Sequence, residues 1–299
     1  MEINENLLFA SERAELKLRR LYQSRGYSLY RMVKFEPYDL YAENRSFVVG
    51  NSILTFTDRR GRLMALKPDV TMSIIKNYRG GREQVYYAES IYREGADGAL
   101  RELRETGVER LGDVDTATEA EVLALAADSL AVLDSRYILD AASMAYVAAL
   151  EEAAGIRGEL SVALRRALMA KNAAGVRALL RDTAAPDRVR KAWETLAELY
   201  APAERAVLEL YELCLSDDME KAAGELGELS RRAEVNVDFS VISDGRYYNG
   251  IVFKGYLPGV PSAVLSGGRY DGLAKRLGKD CGAVGFAVYT EYLNGRESL

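Results

Sequence analysis

The chain contains no histidine in 299 residues. That absence removes Ser-His-Asp and Cys-His nucleophile systems and histidine-ligated zinc, since each needs an imidazole as base or ligand. Any proton transfer would fall to carboxylates, Lys, Tyr or Cys. Cysteine is nearly absent too. Cys214 and Cys281 are too few and too far apart for a metal motif or a disulfide framework. They read as two small buried apolar residues in a reducing cytoplasm. No uninterrupted apolar run reaches the roughly 18 residues of a membrane span, and the acidic start, Met1 to Asn6, lacks a secretory pattern. Positive charge is not in excess: 40 Lys and Arg face 45 Asp and Glu, a net charge of −5. This gives no overall pull toward nucleic acid. A cytoplasmic protein with no membrane partner is expected.

What is present is ordinary globular material, 48% apolar and 28% charged, in a chain long enough for about two domains. Residues 6–25 place apolar side chains at helical spacing and end at Gly26. Strand-like runs follow at 28–37 and 45–57. Thr57 to Arg62 is a charged turn, Leu63 to Leu66 a strand, and Lys67-Pro68-Asp69 a helix start. Residues 84–92 and 101–112 read as strands. Thr116-Ala117-Thr118-Glu119 reads as a capping box opening a helix to about Leu133.

The composition then changes. Residues 146–233 are rich in Ala and Leu at helical spacing, with Asn172, Asp187 and Asp217 as starts and Pro186 and Pro202 as breaks. Their 13 Lys and Arg against 15 Asp and Glu make a near-neutral segment, so the basic cluster at Arg188 to Lys191 reads as a solvated helix face. Strand character returns at Val235 to Ile242, Gly250 to Gly255, Ala263 to Leu265 and Cys281 to Tyr289, before a short terminal helix. The order predicts a split core, 1–145 with 234–299, interrupted by an all-helical insertion at 146–233.

Four blocks carry chemistry. In Leu66-Lys67-Pro68-Asp69-Val70-Thr71, the acid at a helix start can hold an ammonium ion. As a helix-dipole partner alone it is worth a few tenths to about 1 kcal/mol. In Ile91-Tyr92-Arg93-Glu94 through Arg101 to Glu109, Glu105 and Glu109 are four apart in a strand. They share one face, as a pocket wall or an exposed edge. In Ser243-Asp244-Gly245-Arg246-Tyr247-Tyr248, two tyrosines can frame a planar ring and offer it a hydroxyl. With 19 tyrosines in the chain, one such pair alone says little. In Ser266-Gly267-Gly268-Arg269-Tyr270-Asp271, glycines let backbone approach a ligand or a neighbouring strand.

In this order the blocks, with Gly282 to Tyr292, resemble histidyl-tRNA synthetase, a class II aminoacyl-tRNA synthetase. The resemblance implies an α+β fold: a class II antiparallel sheet flanked by helices, here with the all-α insertion. It gives Asp69, helped by Thr71, to the amino group of histidine. It gives Glu109 to the imidazole and Tyr247 and Tyr248 to the ring. Glu105 stands where the family has Gln, and Arg101 or Arg246 is left for the ligand carboxylate. The nucleotide side departs from the family. One arginine position falls on Ile91 without gaps, although a slip of one or two residues brings Arg93 there. Others fall on Ala99, on Ser243 and, at the terminal ATP arginine, on Tyr292. Loss of one preorganised donor of this kind costs ~10²–10³ in rate. No catalytic residue, cofactor or metal is therefore expected.

The family continues beyond the counterpart of Leu299 into an anticodon-binding domain, so tRNA is not expected as a partner. This combination resembles the synthetase-like regulatory subunits of ATP phosphoribosyltransferase. That resemblance implies a short-form catalytic subunit as partner, which condenses ATP with phosphoribosyl pyrophosphate. It also implies a homodimer within a hetero-octamer, and histidine as effector. A histidine-free sequence would suit a protein made when histidine is scarce. Two alternatives stand beside it: a synthetase paralogue that activates an amino acid for a non-tRNA acceptor, and a binding scaffold with a vestigial pocket.

Overall fold

The computed structural model describes residues 7–44, 53–94, 98–243 and 247–294. Helix α1 (Ala10–Ser24) ends where Gly26 takes a positive φ of 80°. Then come β1 (Ser28–Leu29), β2 (Phe35–Pro37), the one-turn α2 (Asp39–Ala42), β3 (Thr55–Thr57) and β4 (Leu63–Leu66). The reading of 45–57 as strand falls partly outside the described residues. The turn before β4 is tied by the Asp58 carboxylate, which accepts from the backbone N–H groups of Arg60 and Arg62.

Helix α3 (Thr71–Asn77) starts later than its sequence suggests. The reason is that Lys67 still belongs to the sheets. Its N–H donates to the Lys34 carbonyl and its own carbonyl accepts from Tyr92. The chain cannot coil until it leaves that register, so Pro68 precedes the helix. Asp69 accepts from the Met72 N–H at 2.8 Å and caps the first turn from outside.

The two long strands β5 (Glu83–Glu94) and β6 (Leu100–Gly112) form the central hairpin. Helix α4 (Thr116–Ala131) follows. Its cap is Asp115, whose carboxylate accepts from the Thr118 N–H. The expected box from Thr116 is displaced by one residue because Glu119 is drawn away to Arg269. Strand β7 (Ile138–Ser143) leads into α5 (Met144–Ala153), α6 (Gly158–Met169), α7 (Ala173–Leu180), α8 (Asp187–Glu198), the two-residue β8 (Ala201–Pro202), α9 (Ala203–Glu212) and α10 (Asp217–Leu229). Helix α8 shows the packing logic: Val189, Ala192, Trp193, Leu196 and Ala197 are all buried, one stripe at helical spacing. The chain closes with β9 (Asn236–Val237), β10 (Ile251–Tyr256), β11 (Leu265–Arg269), α11 (Asp271–Arg276), β12 (Gly282–Tyr289) and a 3-10 turn at Thr290–Leu293. The Gly-rich block forms strand β11 and lies close against its neighbouring strand. A Cβ at Gly267 would overlap both Phe286 and the Gly285 carbonyl of the adjacent strand.

The nine-stranded sheet runs β1-β5-β6-β12-β11-β10-β7-β9-β8. It is antiparallel from β5 to β7, and β1 on β5 and β7 on β9 are parallel additions at its two ends. Strands β2, β4 and β3 form a small separate sheet. Alternation divides the central sheet. Tyr86, Val108, Phe286 and Val288 face α1 and α4 in one core, with Tyr22 edge-on to Phe286 at 6.0 Å. Val85, Tyr87, Ile91, Leu111 and Ala283 face α3 and α11 in a second core. The helical segment 146–233 is not held apart: its buried side chains join the first core. We propose to treat it as an insertion docked on the sheet. Both cysteines are half-buried rather than fully buried, because each sits near a chain turn at the rim of its core.

The small sheet is fastened to the large one by Lys67, only 1% exposed, whose ammonium is ion-paired with Glu89 of β5. Lys67→Ala is expected to cost about 1–3 kcal/mol in denaturant unfolding, since it leaves the half-buried Glu89 carboxylate without its cation. Lys67→Met combined with Glu89→Leu is expected to cost much less. A single-variant loss below about 1 kcal/mol would show that the pair is not a joint.

Candidate functional site

Period-two alternation places Glu105, Gly107 and Glu109 of β6 on the α3 side of the sheet. Register then brings Tyr289, Ala287 and Gly285 of β12 beside them. Ser266 of β11 and Lys254 of β10 continue the same row. These strands floor a cavity of about 460 Å³. Asp69, Val70 and Thr71, at the entry to α3, supply one wall, with Tyr87 and Arg93 of β5. Tyr247, Tyr248 and Tyr270 close another. Met169 at the end of α6, with Val241, Ile242 and Ser243, forms the outer rim.

The inner end is acidic and dry: Asp69, Glu105 and Glu109 are all buried. Glu109 accepts from the Thr71 hydroxyl at 2.6 Å and from the Tyr270 hydroxyl. Burial raises its pKa, the two hydroxyls pull it down, and the balance is about 8. Burial also raises Glu105, against the pull of Arg93, to about 7. Asp69 is raised by burial, with Arg93 and the Met72 N–H opposing. The guanidinium among them is Arg93. It lies 3.8 Å from Glu105 and donates through Nε to the Pro68 carbonyl at 2.8 Å. Burial works against its charge, but Glu105 and Asp69 outweigh that and hold its pKa above the ordinary value.

Glu109 fits only because β12 carries a glycine opposite it. A Cβ on Gly285 would overlap the Glu109 carboxylate. The tyrosines are arranged as a cluster. Tyr247 stands edge-on to Tyr248 with ring centroids 4.8 Å apart and lies 5.7 Å from Tyr270. Chemically the site offers anionic oxygens and aromatic faces to a small cationic molecule, with little water to compete. Among the described residues no group of three or more metal-ligating side chains is arranged to hold a metal ion.

Six of the seven predicted site residues, Asp69, Thr71, Glu105, Glu109, Tyr247 and Tyr248, line this one cavity. Arg101 does not. It is exposed at the start of β6, directly across the hairpin from Arg93. Arg246 lies outside the described residues. The hairpin does bring an arginine to the cavity, two residues beyond Ile91. Ile91 is wholly buried in the second core, and two residues on, on the same face, Arg93 enters the cavity. Ser243 lines the rim, whereas Tyr292 is 40% exposed and packs on Tyr289 at 5.6 Å between centroids. Sequence reasoning missed the roles of Tyr270, Tyr87 and Lys254. Tyr270 lay inside a quoted block, and only the pairing of β11 with β12 turns its hydroxyl to Glu109.

Two outcomes follow from the buried acids. Because folding raises their pKa values, the native state holds protons that the unfolded chain releases. Stability contributed by Glu105 and Glu109 is therefore full below pH ~4.5 and lost as pH rises through about 7 and 8. The melting temperature of the ligand-free protein should fall across that window, with a limiting slope of about 1.4 kcal/mol per pH unit per proton. Glu109→Gln should flatten the fall; an unchanged slope would mean that Glu109 is ionised throughout. Gly285→Ala should destabilise by about 1–3 kcal/mol through overpacking and weaken any ligand held by Glu109.

The family model for histidyl-tRNA synthetase matches residues 4–293. The ATP phosphoribosyltransferase regulatory subunit of Moorella thermoacetica is 29% identical over 303 residues, covering 95% of this chain and 77% of that protein. Among solved structures, a protein of Bacillus halodurans described as an ATP phosphoribosyltransferase regulatory subunit/histidyl-tRNA synthetase superposes with a TM-score of 0.84 at 23% identity, covering 95% of this chain and 78% of that one. A chain of the ATP phosphoribosyl transferase (HisG:HisZ) complex from Thermotoga maritima gives 0.71 at 19% identity, covering 95% and 98%. At those identities the two structures speak for the fold. With the family match spanning nearly its whole length, the chain belongs to the histidyl-tRNA synthetase family.

Proposed function

We propose that this chain is a regulatory, non-catalytic subunit of an ATP phosphoribosyltransferase, and that its cavity is a sensor for histidine. One observation carries the reading. The acids and tyrosines that would grip an amine and a ring are gathered in a single buried cavity, while the family resemblance would put arginines of the nucleotide side where Ser243 and Tyr292 stand. The relative from Moorella thermoacetica supports the subunit assignment by its name. On this reading the ligand's ammonium meets Asp69 and Thr71. Its ring lies between Tyr247 and Tyr248, with a ring nitrogen on Glu109. The partner is a short-form catalytic subunit, and the assembly is a homodimer within a hetero-octamer in the cytoplasm. Feedback then requires that histidine bind two states of the assembly unequally.

A second reading is favoured by one feature. Arg93 keeps a guanidinium in the cavity, as an enzyme that activates an amino acid would require. ATP–pyrophosphate exchange with a panel of amino acids separates the two, and signal above background would overturn the regulatory reading.

The direct test is co-purification with a short-form catalytic subunit and stimulation of its activity. Tyr248→Ala and Glu109→Ala are expected to abolish histidine binding in calorimetry while leaving that association intact. Normal histidine binding by both variants would show the pocket assignment to be wrong.

A further inference from the structure

A zwitterionic amino acid brings a carboxylate as well as an ammonium, and the inner cavity is built against it. Asp69, Glu105 and Glu109 repel it, and the Arg93 guanidinium is already engaged by Glu105 and the Pro68 carbonyl. Arg101 is outside the cavity, and Ser243 stands where the family would place an arginine. Among the described residues the remaining cation in the lining is Lys254.

Its position follows from the sheet. Lys254 is paired with Ser266, Ser266 with Ala287, and Ala287 with Gly107. It therefore sits on the same face as the acids, three strand spacings away, or about 14 Å between backbones. The four-carbon lysine stem and the glutamate side chains both reach into that gap. Lys254 is half-buried, and among the described residues no carboxylate lies within ion-pair distance of it. Asp238 is near, but it accepts from the Ser240 N–H at 2.7 Å and pairs with Lys171 at 2.8 Å. Asp140, the residue of β7 paired directly with Lys254, accepts from the Asn236 amide at 3.2 Å. Burial pushes the Lys254 ammonium down and Asp238 pulls the other way. A partly desolvated ammonium facing a cavity with its neighbours' carboxylates engaged elsewhere is a group waiting for an anion.

We infer that Lys254 is the carboxylate anchor of the cavity: it holds the α-carboxylate of the bound amino acid while Asp69 holds the ammonium on the same carbon and Glu109 the ring. This rests on the histidine reading above.

Calorimetry with histidine and with histamine, which lacks the carboxylate, tests it on the intact chain and on Lys254→Met and Lys254→Arg. The unaltered protein should prefer histidine. Lys254→Met should weaken histidine roughly 10- to 100-fold, the worth of one charge-assisted hydrogen bond, while histamine binding is unchanged or tighter. Lys254→Arg should restore the preference. Equal weakening of both ligands in Lys254→Met, or an unchanged histidine-to-histamine ratio, overturns the inference. If the unaltered protein binds neither ligand, the histidine reading fails first and takes this anchor with it. Thermal melts of the two variants exclude misfolding as the cause.

Discussion

The constraint on which the site depends is the removal of three carboxylates from water on one face of the sheet. An isolated buried carboxylate costs several kcal/mol, and a protein keeps it only where hydrogen bonds or a counter-charge answer it. Here the answers are specific. Arg93 attends Glu105, the Thr71 and Tyr270 hydroxyls attend Glu109, and the Met72 N–H attends Asp69. They are incomplete, and the raised pKa values of the acids measure the shortfall. On the proposed reading a cationic ligand would supply the rest.

The scaffold explains how such a cluster can be held. A mostly antiparallel sheet gives each strand one face to the α1–α4 core and one to the cavity, so the acids project from rigid backbone. Gly285 leaves room for the Glu109 carboxylate, and Gly267 lets β11 and β12 carry Phe286 between them. Met169, which lines the cavity rim, ends helix α6, and Lys171 beyond it anchors that helix to Asp238. The helical segment thus reaches the cavity as well as the outer surface.

Much was legible in the sequence, and the reasons are local. Strand β4 lies where its residues predicted, bounded by a turn that Asp58 ties to itself. Asn172 caps α7 through its own side chain. Glu105 and Glu109 share a face because the strand period is two. The misreadings share a different cause. Pro68 and Asp69 looked like a helix start, but the sheet holds Lys67 extended. Thr116 looked like a cap, but Arg269, 150 residues away, takes Glu119. Each reading used the correct propensity and lost to a partner distant in sequence.

The sequence by itself determined the kinds of chemistry available: no imidazole, a set of acids and tyrosines at strand and helix-start spacings, and an alternating pattern that commits them to one face. Those features depend on residue type and short-range period, which the chain carries locally. Only the tertiary structure decided which cation joins them. Hairpin register put Arg93 inside and Arg101 outside, and the pairing of β10 with β11 brought Lys254 into the row. Register is settled by the burial of whole strand faces against helices far along the chain, so no local stretch of residues contains it.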